Sequence, residues 1–262
     1  MKINLQSRQK LVIGNWKMYG NLKKNANLMH KLIKELKCFK AIDIVLCIPF
    51  PYLSQAEGML KKSHIKWGSQ NVSQFEEGAY TGSISAQMIK DFKCQYAIIG
   101  HSERRALSSE TYQSATNRFI QALHAHITPI FCVGETAEEK KLGKEKLVVK
   151  KQIRAVLNNL SNSDFLLMKK LNTVFTYEPV WAIGTGKNAK PDEAESMHQL
   201  IRQLIYKKDK AFSKKVRILY GGSLRPDNAL SLFSMPNIDG GLVGNSSLNA
   251  KKFVEICKSA YR

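Results

Sequence analysis

Eight short β-prone runs, each followed by helical patterning, leave this chain few ways to fold. The runs fall at 11–16, 42–48, 65–70, 96–100, 127–132, 173–178, 216–221 and 238–243. Between them lie amphipathic stretches, among them 22–36, 110–124, 147–160, 194–207, 226–233 and 250–259. Several runs are apolar nearly throughout, as parallel strands covered on both faces are. Strict β–α alternation with no strand-only half predicts a parallel sheet. Eight such units in 262 residues fit a closed (β/α)8 barrel better than an open doubly wound sheet. No low-complexity stretch or interior linker divides the chain, so one domain is expected over 1–262, with 1–9 a loosely ordered N-terminal extension.

Composition narrows the setting. There is no 18-residue apolar run, and the polar start from Met1 to Lys10 lacks the apolar core of a secretory signal. The five cysteines (Cys38, Cys47, Cys94, Cys132, Cys257) are odd in number and form no C-x-x-C. That pattern favours a reducing, cytoplasmic setting over a disulfide framework or a zinc site. The 41 Lys and Arg against 21 Asp and Glu give +20. Such an excess can serve nucleic acid, a membrane surface or an anionic substrate. Here the lysines are dispersed over expected helices (Lys23, Lys24, Lys31, Lys34 and Lys37, then 140–151 and 207–215) instead of forming one dense arm.

Nucleotide-binding signatures fail on spacing. The first βα turn, Gly14-Asn15-Trp16-Lys17-Met18-Tyr19-Gly20, has no G-x-G-x-x-G. Gly184-Thr185-Gly186-Lys187 is no P-loop, because Asn188 follows Lys187.

In a barrel of this kind chemistry collects at the strand C-termini. Strand one delivers Asn15 and Lys17, strand four His101, and strand six Glu178. Strands seven and eight end in Gly221-Gly222-Ser223 and Gly244-Asn245. Glycine-rich strand ends beside a helix start expose N–H groups that suit a phosphate dianion. A carboxylate with an imidazole facing the same space is equipment for removing a proton α to a carbonyl. Pro179 bars the sixth strand from continuing, and the segment after it has the build of a hinged flap. Three readings fit these residues: a small-substrate isomerase, another phosphate-binding barrel isomerase for a larger sugar, and a basic nucleic-acid or surface-binding protein supported only by the charge.

The segments Gly14-Asn15-Trp16-Lys17-Met18, Gln70-Asn71-Val72-Ser73, Gly78-Ala79-Tyr80-Thr81-Gly82 and Gly100-His101-Ser102-Glu103-Arg104-Arg105 are similar to signatures of the triosephosphate isomerase family. So are Phe131-Cys132-Val133-Gly134-Glu135, the run from Tyr177 to Lys187, and Tyr220-Gly221-Gly222-Ser223. They stand in family order over residues 10–260. The resemblance implies a TIM barrel that interconverts dihydroxyacetone phosphate and glyceraldehyde 3-phosphate through an enediolate, with no cofactor and no metal. It casts Glu178 as the base, His101 as the electrophile, Lys17 as the compensating charge and Asn15 as its support. Phosphate would rest on Gly184, Ser223, Gly244 and Asn245, while Glu103 and Cys132 would brace the lysine and the base. Val180, Trp181, Ala182, Ile183, Gly184, Thr185, Gly186 and Lys187 would form the lid. The resemblance also implies a homodimer in which the loop from Gln74 to Ile84 enters the partner, Thr81 foremost, with no nucleic-acid or membrane partner.

Four positions depart from the family pattern. Asn245 replaces the second glycine after strand eight. Ser83 stands where a Glu commonly pairs with an arginine, here Arg104, across the interface. Lys190 replaces a Ser or Thr that caps the helix at Pro191, and Tyr19 replaces an Asn.

Overall fold

The computed structural model describes residues 8–183 and 188–261. The eight strands are β1 (Leu11–Asn15), β2 (Asp43–Ile48), β3 (Lys66–Ser69), β4 (Tyr96–Ile99), β5 (Thr128–Val133), β6 (Val174–Tyr177), β7 (Arg217–Tyr220) and β8 (Gly240–Val243). They pair in sequence order, all parallel, and β8 returns to β1 in the register Leu11↔Gly240 to Gly14↔Val243. The expected closed parallel barrel is the fold. Each expected strand is present, seven of them trimmed by a residue or two at one or both ends and the fifth shifted by one residue to Thr128–Val133. Of the 1–9 extension, residues 1–7 lie outside the described residues; Arg8 donates to Asp239 Oδ1 (2.6 Å) and to the Pro236 carbonyl (2.8 Å).

Alternation along the strands divides the core in two. Leu11, Ile13, Val45, Cys47, Ile98, Ile130, Cys132, Val174, Leu219 and Leu242 pack inside the barrel. Val12, Ile44, Leu46, Ala97, Phe131, Phe175 and Ile218 face outward into the larger layer beneath the helices. Both faces are therefore dry, which is why the runs read as continuously apolar.

The helices show where periodicity alone is incomplete. Leu22–Leu36 and Pro226–Phe233 have the expected bounds. The expected 147–160 is instead Glu145–Leu157, then a turn, then a separate helix Asn162–Lys170. Ser161 starts the second helix, its hydroxyl accepting from the Asp164 N–H while Asp164 reaches back to the Ser161 N–H. Likewise the helix expected from Glu110 begins at Tyr112, because Thr111 is its cap. Ala86–Asp91 and Ser102–Leu107, six residues each, are too short to display a period.

The end of the barrel at the strand N-termini is closed by charge. Asp43 accepts from Arg217 Nη1 at 2.6 Å and from Lys66 Nζ at 3.1 Å. Burial alone would raise the Asp43 carboxyl, but the Arg217 hydrogen bond and charge, with Lys66, outweigh it and hold it below its ordinary 3.8. A depressed carboxyl contributes stability above its unfolded value and loses it as pH falls through the folded one. Asp43→Asn is therefore expected to destabilise by about 1–3 kcal/mol at pH 7, through the half-paired Arg217. Urea melts of both proteins should show that gap at neutral pH and see it narrow only below about pH 4; a gap independent of pH would remove the charge from the explanation.

Candidate active site

The strand C-termini form one rim around a cavity of about 350 Å³ lined by Asn15, Lys17, His101, Ser223, Gly244 and Asn245, among others. Each polar group is held by backbone geometry as well as by side chains. Lys17 has φ 52°, a left-handed conformation unusual for a residue with a side chain. Asn15 Oδ1 accepts its N–H at 3.0 Å, and Gln70 Nε2 donates to its carbonyl at 2.9 Å. Its ammonium reaches Glu103 Oε1. A Cβ on Gly244 would stand 3.2 Å from Lys17 Cε, so the glycine gives the lysine its passage across the end of β8.

His101 caps the short helix Ser102–Leu107 with its ring. Nδ1 accepts the Glu103 N–H at 3.2 Å. A nitrogen that accepts carries no proton, so the neutral ring bears its proton on Nε2. Nε2 lies 3.1 Å from Glu178 Oε1, in a contact not aligned as a hydrogen bond.

Glu178 is wholly buried, withdrawn from the cavity wall. Its Oε2 accepts the Ser102 N–H at 2.9 Å, and its own N–H donates to the Val133 carbonyl at 2.7 Å. Two glycines make room for it. A Cβ on Gly134 would fall 1.7 Å from the Glu178 carbonyl oxygen, and one on Gly221 would fall 2.9 Å from Glu178 Cγ. Cys132 is buried beneath it; burial first, then the Glu178 carboxylate, pushes the thiol well above its ordinary value.

The flap begins with a 3-10 turn, Val180–Ala182, followed by Ile183. Of the expected lid and phosphate residues, Gly184, Thr185, Gly186 and Lys187 lie outside the described residues. Sequence reasoning gives Glu135 no role, yet it anchors this turn. Its carbonyl accepts the Val180 N–H at 3.1 Å, and its buried Oε1 accepts from Trp181 Nε1 (2.7 Å) and the Tyr177 hydroxyl (3.0 Å). Burial raises the Glu135 carboxyl; the bonds from Trp181 and Tyr177 and the Lys140 charge work against that rise. Lys140 also sits 3.4 Å over the Trp181 ring. Ser102 and Gln70 escape sequence reasoning in the same way, one acting through its N–H and the other through the carbonyls of Lys17 and Cys47. The only signal for Glu135 is its position just past strand five, beside Gly134.

The departures are accommodated differently. Asn245 is absent from the positive-φ residues, so the backbone there tolerates a side chain. Arg104 pairs with Glu110 of its own chain at 2.8 Å. Lys190 offers no capping oxygen, and only the reciprocal bond remains, from its N–H to Glu193 Oε2 at 3.1 Å.

A carboxylate beside an imidazole, an ammonium at the same rim and N–H-rich glycine turns on a closed barrel define an aldose–ketose isomerase. The triosephosphate isomerase family model matches residues 10–260. Triosephosphate isomerases similar to this chain include those of Nitrosomonas europaea (44% identical; 97% of this chain, 98% of the relative) and Herminiimonas arsenicoxydans (45%; 97% and 100%). Another is that of Coxiella burnetii (43%; 95% and 96%). The chain belongs to the triosephosphate isomerase family and has its isomerase activity. No helix among the described residues is long and apolar enough to cross a membrane.

Gly221→Ala tests the packing around the carboxylate. The added methyl meets Glu178 Cγ and Thr176 Cγ2 (2.7 Å), so kcat should fall about tenfold or more with the fold retained by circular dichroism. Unchanged kcat would mean that this contact does not set the position of Glu178.

Proposed function

We propose that Glu178, His101 and Lys17 carry the interconversion of dihydroxyacetone phosphate and glyceraldehyde 3-phosphate, in a cytoplasmic enzyme whose domain is the whole barrel. The observation that carries this reading is the meeting of the Glu178 carboxylate and His101 Nε2 at 3.1 Å on a rim shared with Lys17. Glu178 takes a proton from the carbon next to the carbonyl and returns it to the neighbouring carbon. The bond to the Ser102 N–H keeps it out of the cavity in the state described, so it swings inward to act. Pro179 couples that swing to the flap, since the base and the first turn of the lid are consecutive in the chain. His101 donates its Nε2 proton to the carbonyl oxygen as charge builds there and moves protons between the two oxygens. Pairing a carboxylate base with a neutral histidine is the arrangement for which this family's enzyme is itself the standard example. Lys17, fixed by Asn15 and Glu103, offsets the negative charge of the enediolate. Ser223, Gly244 and Asn245 receive the phosphate, with Gly184 of the lid, and the lid from Val180 to Lys187 excludes water.

Two features support assembly as a homodimer. The loop from Gln74 to Ile84 stands out from the barrel, closed at its base by Ser73 N–H to the Ile84 carbonyl (2.7 Å) and stiffened by Phe75 stacked on Tyr80 at 3.9 Å. Beside the catalytic cavity lies a second one of about 290 Å³, lined by Asn15, Lys17, Met18, Gln70 and Glu103, with Met18 95% exposed. An exposed methionine over a hollow shared with the catalytic lysine suits a partner's loop, Thr81 at its tip reaching Asn15 of the partner subunit.

Glu178→Asp draws the carboxylate back by one methylene. It should lower kcat about a hundredfold while inorganic phosphate still competes with substrate; near-normal kcat would take Glu178 out of the base's role. Specific activity should also drop on dilution in step with loss of dimer followed by sedimentation. A fully active monomer would remove the partner's loop from the site.

A further inference from the structure

Three cationic side chains line the catalytic cavity, Lys17, Arg225 and Lys252. Two are compensated. Lys17 pairs with Glu103. Arg225 donates twice to Asp227, at 3.0 and 3.1 Å, and once to Asn188 Oδ1 at 3.2 Å. Lys252 is different. Its backbone N–H donates to Asn249 Oδ1 at 3.1 Å, but its ammonium has no hydrogen-bond or ion-pair partner among the described residues.

Its place in the chain works against its own helix. Lys251 and Lys252 occupy the first turn of the helix Ala250–Tyr261, and that turn has no acidic residue. A cation there meets the positive end of the helix dipole, which favours anions. Lys23 in the helix Leu22–Leu36 meets the same opposition, so the helix end by itself assigns no role. What sets Lys252 apart is the cavity wall it shares with Ser223, Gly244 and Asn245.

We propose that Lys252 attracts the substrate's phosphate dianion as it approaches and helps retain it, acting on encounter and binding and not on proton transfer. The proposal rests on the assignment of Ser223, Gly244 and Asn245 to the phosphate. It also gives one of the many excess lysines a specific use. The positive field that matters is a single uncompensated ammonium at the mouth, not the net charge of the whole surface.

The test compares Lys252→Gln with Lys23→Gln, which removes the same charge from the first turn of the helix Leu22–Leu36, outside the cavity. At low ionic strength Lys252→Gln should lower kcat/KM about three- to tenfold with kcat within about twofold. The competitive inhibition constant of inorganic phosphate should rise by a similar factor. Both differences should fade by about 0.5 M NaCl, where charges are screened over a few ångströms. Lys252→Arg should behave as the unaltered enzyme, and Lys23→Gln should change nothing. The proposal is overturned if Lys252→Gln matches the unaltered enzyme, if Lys23→Gln produces the same loss, or if kcat falls at constant KM. Should inorganic phosphate fail to compete in the unaltered enzyme, the phosphate assignment itself falls. Should it compete while Lys252→Gln is silent, only the role of Lys252 does.

Discussion

Closure of β8 onto β1 is the constraint that the remainder of the molecule obeys. The joint is tight: Gly240 has φ 135°, and a Cβ there would lie 1.9 Å from the Leu11 carbonyl oxygen. Only glycine lets the last strand enter at that angle and still pair with the first. Once the cylinder is shut, eight parallel strands must all end on one rim. Groups more than 200 residues apart in the chain, such as Lys17 and Ser223, then line the same cavity without any long-range recognition of each other.

The rim is less a set of independent side chains than a pair of connected braces. The end of β5 holds Glu178 through Val133, and the loop just after it holds the start of the flap through Glu135, so both depend on one short segment. Gln152 fixes that segment from below, donating to the Gly134 carbonyl (3.1 Å) and accepting its N–H (2.8 Å). Arg105 ties it to the β4 end through the carbonyls of Gly100, Cys132 and Gly134. Such a scaffold suits the proposed mechanism, in which the Glu178 carboxylate moves between two positions.

Strand existence and order are legible in the chain because a doubly covered parallel strand leaves an apolar run that no surface loop imitates. Boundaries slip where a cap decides them, as at Thr111 and Ser161, since a hydroxyl outweighs the apolar period over two or three residues. Within the site, the residues at strand ends can be named from the chain alone. The withdrawal of Glu178 against Ser102, the hold of Glu135 on Trp181 and the exposure of Lys252 on the cavity, unpaired among the described residues, cannot. Each depends on which loop lies beside which, and pattern along one strand carries no trace of that.

Lys17 shows how such a rim resists change. Its left-handed backbone costs roughly 1–3 kcal/mol for a residue with a side chain, and Asn15 and Gln70 restrain it in that conformation. Glycine would relieve the torsion yet delete the ammonium, so with the role proposed for Lys17 drift toward a more comfortable chain runs against turnover at this position. Selection for thermostability alone would therefore tend to erode the enzyme here first, and a library screened only for folding should discard this lysine early.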